Sequence, residues 1–286
     1  MFEQVELAKG TASVERHRFA MDPRIVDMLR QLNNGFYRRC APAFSSTRQA
    51  PWEGWRACLP HLCSACRAGK TGGAELLLAD IACGNGRFES FVAEGLPEVD
   101  VSATAVDECT DLLEEARIPG VEAVRLDALS ALVEGAPWEL PAAPFDAAVS
   151  FGFLHHIPSR ALRERALREL LGIVRPGGIA IVSLWCYLED QRLARKAERS
   201  HPEALAVLAP TVREQWDLDL VEQLEEGDRF LGWQDEPDLW RYCHDFNDAE
   251  IDRLSAAVAD EADEVARFRS DGKSGRLNAY LIFRKH

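Results

Sequence analysis

The chain has 286 residues, 47% of them hydrophobic, enough for one large or two small packed domains. No apolar run reaches the roughly 18 residues that mark a membrane span, and the opening MFEQVELAKG lacks a signal-peptide pattern, so a soluble, cytoplasmic protein without membrane contact is expected. The formal charge of −14 is uneven: residues 1–70 carry eleven Lys/Arg against six Asp/Glu, a net +5 that leaves −19 elsewhere. An acidic body has the wrong sign for non-specific nucleic-acid binding, which leaves the basic N-terminal segment, with Arg16, Arg18, Arg38, Arg39 and Arg48, as the one candidate phosphate track. Eight cysteines at this length fit free thiols in a reducing compartment.

Helical patterns over residues 21–33 and 53–67 flank a polar stretch at 33–51, and residues 1–70 read as an N-terminal helical cap or lid. From residue 71 a different rhythm begins. Strand 75–81, helix 86–94, strand 99–106, helix 109–116 and strand 121–126 are followed by strand 145–151, helix 160–174 and strand 178–185. Apolar runs alternating with helices predict a mostly parallel sheet covered on both faces. A charged, helix-prone insertion occupies residues 186–240, with helices expected at 189–200 and 210–226. The chain closes with helix 248–259, strand 263–269, the turn Asp271-Gly272-Lys273-Ser274-Gly275 and strand 277–284. A hairpin of this kind makes the last strand antiparallel and brings the sheet to seven strands.

Chemistry concentrates at Asp80-Ile81-Ala82-Cys83-Gly84-Asn85-Gly86, where a strand runs into a glycine turn and a helix. Gly84 and Gly86 let backbone approach a ligand, and the following helix opens with unpaired N–H groups. A dinucleotide fingerprint needs a third glycine at position 89, which is Glu89 and would repel pyrophosphate. Asp80 suits a cationic group such as the amino group of a methionine moiety. Asp107 ends the next strand, where a carboxylate accepts from ribose hydroxyls, and Asp127-Ala128 ends the third, in position for an adenine amino group. Each element alone has an ordinary explanation, the turn as punctuation and the acids as helix caps. In register they point to a nucleoside-linked cation.

The order Asp80-x-Ala82-x-Gly84-x-Gly86, Asp107, Asp127, Phe145-Asp146-Ala147 and Arg175-Pro176-Gly177-Gly178 resembles the class I S-adenosylmethionine-dependent methyltransferases over roughly residues 74–185. The resemblance implies a Rossmann-like α/β fold, S-adenosyl-L-methionine as cofactor, S-adenosyl-L-homocysteine as product, and no metal. Ala82 departs from the family's usual glycine and tightens the space beside the donor's methionine end. The resemblance extends the donor contacts to Tyr37, Arg48, Asn85, Phe151 and His156.

Outside the core, Phe36-Tyr37, Phe44-Ser45-x-Thr47-Arg48-x-x-Pro51-Trp52, Leu154-His155-His156-Ile157, Asp228-x-Phe230-Leu231-x-Trp233 and Arg241-Tyr242-x-His244-x-Phe246 resemble the methyltransferases that esterify carboxymethyluridine at the tRNA wobble position. A carboxylate is ionised at pH 7 and needs positioning rather than a base, so Arg48, His155, Arg241 and His244 are the candidate catalytic donors. Arg241 and His244, three apart, are expected to share one side of a helical turn. Tyr37 and Trp52 are expected to cover the donor from a loop. The acidic runs at 217–226 and 260–264 repel phosphates, so an acidic small-molecule acceptor is expected, with tRNA as the alternative and a non-catalytic donor-binding protein as a third reading. Cys58, Cys63 and Cys66 near His61 have a metal-like spacing, but they fall on one predicted helix without a second pair and read as ordinary thiols.

Overall fold

The computed structural model describes residues 21–46, 50–69, 72–116, 118–233, 236 and 238–286. Strand β1 (Arg67–Ala68) pairs antiparallel with the start of β2 (Ala74–Ile81), an interior strand of the sheet. Seven strands follow the spatial order β4 (Val121–Arg125), β3 (Val99–Asp107), β2, β5 (Phe145–Ser150), β6 (Val174–Trp185), β10 (Asn278–Lys285) and β9 (Ala262–Ser270). Leu78 of β2 lies opposite Ala103 on one side and Ala147 on the other, both in parallel, and β10 runs antiparallel to β6 and β9. The order reverses between β2 and β5, so the carboxyl ends of these two strands flank a crevice.

One face of the sheet is covered by α2 (Glu53–Ala65) and α3 (Arg87–Gly95), which bring Trp55, Leu62, Phe88 and Val92 onto Leu76, Leu78 and Ile282. The other face is covered by α5 (Ala128–Glu134), α6 (Arg160–Gly172) and α9 (Asp248–Ala256). A short helix α4 (Thr110–Glu115) packs on β3 and β4. Central strands read as continuous apolar runs because both faces are buried. The family-type Asp146 is fully buried within this scaffold: its carboxylate accepts from Arg67, Arg175 and the Leu77 amide, tying β1, β2, β5 and β6 together.

Differences from the sequence-based expectations concentrate above the crevice. Helix α1 (Pro23–Ser46) runs through most of the stretch at 33–51 expected to be a polar loop. The two helices expected at 189–200 and 210–226 are a single helix, α7 (Gln191–Trp216), that continues through Pro202 and Pro210, followed by a short α8 (Leu220–Gln223). Each internal proline costs on the order of 3 kcal/mol, yet Ala204, Val212 and Leu208 bury a stripe against Ile25, Leu29 and Phe230 that outweighs it. The insertion also contains a two-stranded sheet, β7 (Asp228–Gly232) with β8 (Trp240–His244). Thus α1 and the insertion share one apolar core although they are far apart in sequence, while α2 belongs to the sheet. No helix among the described residues is long and apolar enough to cross a membrane.

A buried ionic network joins this upper layer to the sheet. Arg163 of α6 pairs with Glu225 and, at 2.9 Å, with Glu250 of α9; His244 lies 2.7 Å from Asp228 and 2.8 Å from Glu250; Tyr242 donates to Asp228 at 2.6 Å. Burial and the Arg163 charge pull the His244 pKa down, but its two carboxylate partners outweigh them and raise it above 6.5. Burial pushes Glu250 up, and its bonds to His244 and Arg163 outweigh this and bring it to about 2. The raised His244 contributes stability below 6.5 that is lost as pH rises through its folded value. The depressed Glu250 contributes above 4.5 and loses that contribution as pH falls toward 2. Urea unfolding from pH 3 to 9 is therefore expected to show the largest gap between wild type and Glu250→Gln at pH 4.5–6.5. Arg163→Met, which strands two carboxylates, should cost about 3–5 kcal/mol in that window.

Candidate functional site

A cleft of about 850 Å³ opens over the carboxyl ends of β2, β3 and β5, with α1 and the insertion as its far wall. Its floor is the turn after β2. Gly84 and Gly86 have φ of +61° and +74°, and Ala82, where glycine was the family expectation, holds φ +62° despite its methyl group. A Cβ on Gly86 would lie 2.8 Å from the Ala116 Cα, whereas one on Gly84 would meet nothing within 4 Å and would stand in open cleft. Asp107 closes the turn from beside it, accepting from the Gly84 amide at 2.9 Å and the Cys109 amide at 2.8 Å. Each carboxylate oxygen retains a second lone pair for a ligand hydroxyl.

Beneath the turn, Asp80 and Glu89 are 3% and 1% exposed and do not line the cleft. Neither carboxylate oxygen of Glu89 has a hydrogen-bond partner among the described residues. Burial pushes Glu89 up to about 7, and burial together with Glu89 and Asp107 raises Asp80 well above the usual carboxylate range. Burial raises Asp107 as well, against the backbone N–H groups that favour its charged form. Two buried acids beneath the turn and the half-buried Asp107 beside it make a seat whose ionised form is favoured by a cation above it. Glu89 entered the sequence reading only as a missing glycine; an acid three residues into a helix that starts beneath a ligand turn was the signal.

The remaining residues expected at the donor site divide. Asn85 lines the cleft and accepts from Arg87 at 3.1 Å; Phe151 lines it from an aromatic cluster with Trp55, Phe88 and Tyr280. Trp52 lies over Gly152, in the cleft lining as expected. Asp127 lines the cleft, but its carboxylate caps α5 through the Ser130 amide and hydroxyl and pairs with Arg30 at 2.7 Å, so its accepting capacity is largely committed. Ala128 reaches the cleft while its carbonyl accepts from Trp138. Tyr37 lies on α1 rather than in a loop, and with His156 it belongs to the far wall. Arg48 lies outside the described residues.

That far wall carries the other charge. Arg241 is 6% exposed, its guanidinium 5.1–5.8 Å from the ring centres of Phe36, Trp185 and Trp233, and no carboxylate pairs with it among the described residues. It donates to the Tyr37 hydroxyl at 3.1 Å. His155, buried, packs 4.9 Å from Trp185 in the same lining. His244 does not join them: Arg241 and His244 lie on strand β8 rather than a helical turn, and an odd separation on a strand sends side chains to opposite faces. Arg241 faces the cleft and His244 the ionic network below.

Arg38, Arg192 and Lys196 border the cleft, and Arg195 and Arg199 extend the row along α7. The basic surface is therefore wider than the N-terminal segment expected from charge counts, and the run Arg192-x-x-Arg195-Lys196-x-x-Arg199 was its sequence signal. All eight cysteines are free thiols, and Cys58, Cys63 and Cys66 lie on or beside α2, away from the cleft lining.

Residues 78–178 match the family model described as a methyltransferase domain. The chain is 30% identical over 175 residues to an Encephalitozoon cuniculi protein named as a methyltransferase without a stated acceptor, covering 60% of this chain and 71% of that one. It is 30% identical over 154 residues to the Macaca fascicularis tRNA (carboxymethyluridine(34)-5-O)-methyltransferase ALKBH8, covering 54% of this chain and 20% of that one. It spans about a fifth to a third of the length of the other curated tRNA methyltransferases it matches. In fold it is similar to the Burkholderia thailandensis 1,6-didemethyltoxoflavin-N1-methyltransferase, with a TM-score of 0.55, 17% identity, and 92% of this chain and 90% of that one covered.

The two glycines should respond differently to a methyl group. Gly86→Ala adds the Ala116 clash to the roughly 1–3 kcal/mol of left-handed strain and should lower the unfolding midpoint most. Gly84→Ala should show the strain alone and instead fill the cleft. Denaturant melts of equal cost in both variants would contradict this division.

Proposed function

Because the chain belongs to the S-adenosylmethionine-dependent methyltransferases, we propose that it transfers a methyl group from that donor to a carboxylate oxygen of an acidic acceptor anchored by Arg241. The observation that carries the acceptor assignment is the Arg241 guanidinium, buried among three aromatic rings without a carboxylate partner among the described residues. Burial opposes that charge, the ring faces and the Tyr37 hydroxyl offset the burial, and an anionic acceptor adds the charged partner that the guanidinium lacks among the described residues.

The donor fits the opposite side of the cleft. Gly84 leaves open space above the turn, Asp107 presents an oriented carboxylate for the ribose hydroxyls, and Asp80 and Glu89, held toward their neutral forms by burial, lie beneath the methionine end where a bound cation favours their ionisation. Asn85, Phe151, Asp127 and Ala128 line the same space. When bound, the donor supplies an electrophilic methyl group on a positively charged sulfur. The chain's own residues then have little proton chemistry to do, since a carboxylate is already ionised near pH 7. Arg241 and His155 hold and desolvate it, and the aromatic walls exclude water. Helix α1 and residues 186–240 act in this reading as the cap that completes the cleft.

A free acid and a carboxylate borne on RNA share this chemistry. The row Arg38, Arg192, Arg195, Lys196 and Arg199 along the cleft border favours the RNA-borne form on a protein whose net charge is −14, and so does similarity to relatives named as tRNA methyltransferases. The test is incubation with methyl-labelled donor and separated RNA, protein and small-molecule fractions of a cell extract. Label should enter RNA or small acids, and Arg241→Ala should lower kcat/KM by about 1.5–3 kcal/mol, roughly 10- to 150-fold, with donor affinity intact. Label confined to protein, or full activity in Arg241→Ala, would contradict the proposal.

A further inference from the structure

We propose that Tyr37 and His156 are positioning residues that hold the Arg241 guanidinium in its working orientation, an inference resting on the reading of Arg241 as the acceptor's anchor. The four groups form a closed ring. Arg241 Nη1 donates to the Tyr37 hydroxyl at 3.1 Å, the Tyr37 hydroxyl lies 2.7 Å from His156 Nε2, and His156 Nδ1 lies 3.0 Å from the carbonyl of Tyr242, the neighbour of Arg241 on β8. The ring thereby joins α1, the turn after β5 and the insertion.

Two groups face His156 Nδ1: the Tyr242 carbonyl at 3.0 Å, which only accepts, and the Asn33 amide nitrogen at 3.2 Å, which donates to that same carbonyl at 3.1 Å. With Asn33 committed to the carbonyl, the shorter contact assigns the His156 proton to Nδ1 and leaves Nε2 as an acceptor. Tyr37 therefore points its O–H at His156, which turns the hydroxyl lone pairs toward Arg241, a donor-only side chain. With the opposite tautomer, His156 would itself donate to the Tyr37 oxygen and compete with Arg241 for it. Asn33 locks the far end of the ring: it accepts from the Tyr242 amide at 2.7 Å and donates to the Tyr242 carbonyl at 3.1 Å.

Arg241 needs such a tether. Its other neighbours are ring faces, which attract a cation without fixing the rotation of its fork, and its Nε–H has no acceptor among the described residues. Recognition of a carboxylate depends on the direction of the fork, so the Tyr37 oxygen is what sets it.

Nuclear magnetic resonance of the full chain tests this without the natural acceptor, by following the Arg241 Nε–H signal and the His156 ring nitrogens while titrating acetate as the carboxylate probe. His156 is expected as the neutral Nδ1–H tautomer. Tyr37→Phe, which removes one oxygen and keeps the ring, and His156→Ala should each shift and broaden the Arg241 signal and weaken acetate binding about two- to tenfold, the span of one hydrogen bond. His156→Gln, which keeps an acceptor for Tyr37, should restore much of the wild-type signal. An Arg241 signal unchanged in Tyr37→Phe overturns the proposal. A fall in S-adenosylhomocysteine affinity with that signal unchanged also overturns it and assigns Tyr37 to the donor instead. Acetate binding equally well to wild type and Arg241→Gln would remove the carboxylate reading of the site, while the Nε–H signal still decides the tether.

Discussion

A cluster of acids beneath one wall of the cleft and a buried cation on the facing wall constrain everything else in this protein. Asp80 and Glu89 lie under the turn after β2 with Asp107 beside it, and Arg241 lies across from them within aromatic rings; each group would be better solvated in water. The separation prevents them from neutralising one another. It leaves one wall suited to a cation and the other to an anion, which is what a sulfonium donor and a carboxylate acceptor require of an enzyme that brings them together.

The fold sustains this separation by dividing labour. The acids belong to the parallel sheet, where backbone bonds and the clamp of Asp146 on Arg67 and Arg175 resist movement. Arg241 belongs to the upper layer, in which α1 and the insertion share one core. The two layers are joined by the Arg163–Glu225–Glu250–His244–Asp228 network and by the Arg30–Asp127 pair. An apolar cluster of Trp185, Tyr187, Leu231, Cys243 and Leu277 between the sheet and β7–β8 adds to these ionic links. Any relative motion of the layers would change the distance between the two charged walls while leaving each wall intact.

What was legible in the sequence follows from how local its causes are. The glycine turn, the acid after β3 and the alternating strands depend on backbone conformation and neighbouring residues, so Gly84, Gly86 and Asp107 stand where the pattern put them. Misreadings arose where partners are distant. Asp127 could be a ligand contact or a helix cap from sequence alone; it lines the cleft and also caps α5 through Ser130 and pairs with Arg30, 97 residues away. The spacing of Arg241 and His244 means one side on a helix and opposite sides on a strand, and the pairing of β8 with β7 decides it. Residues 33–46 are polar by composition, yet Asn33 and Phe36 are buried because the insertion returns to cover them. No window of sequence contains that contact.

The chemical form of the transferred methyl group distinguishes an anionic acceptor from any other. After incubation with methyl-labelled donor and the acceptor-containing fraction, the product should be treated with mild alkali and the volatile label collected. A methyl ester on a carboxylate predicts quantitative release as methanol, and loss of that alkali-labile label in Arg241→Ala. Label that stays with the acceptor through alkali, as it would on nitrogen, carbon or an ether oxygen, would contradict the anionic acceptor and with it the role assigned to the buried guanidinium.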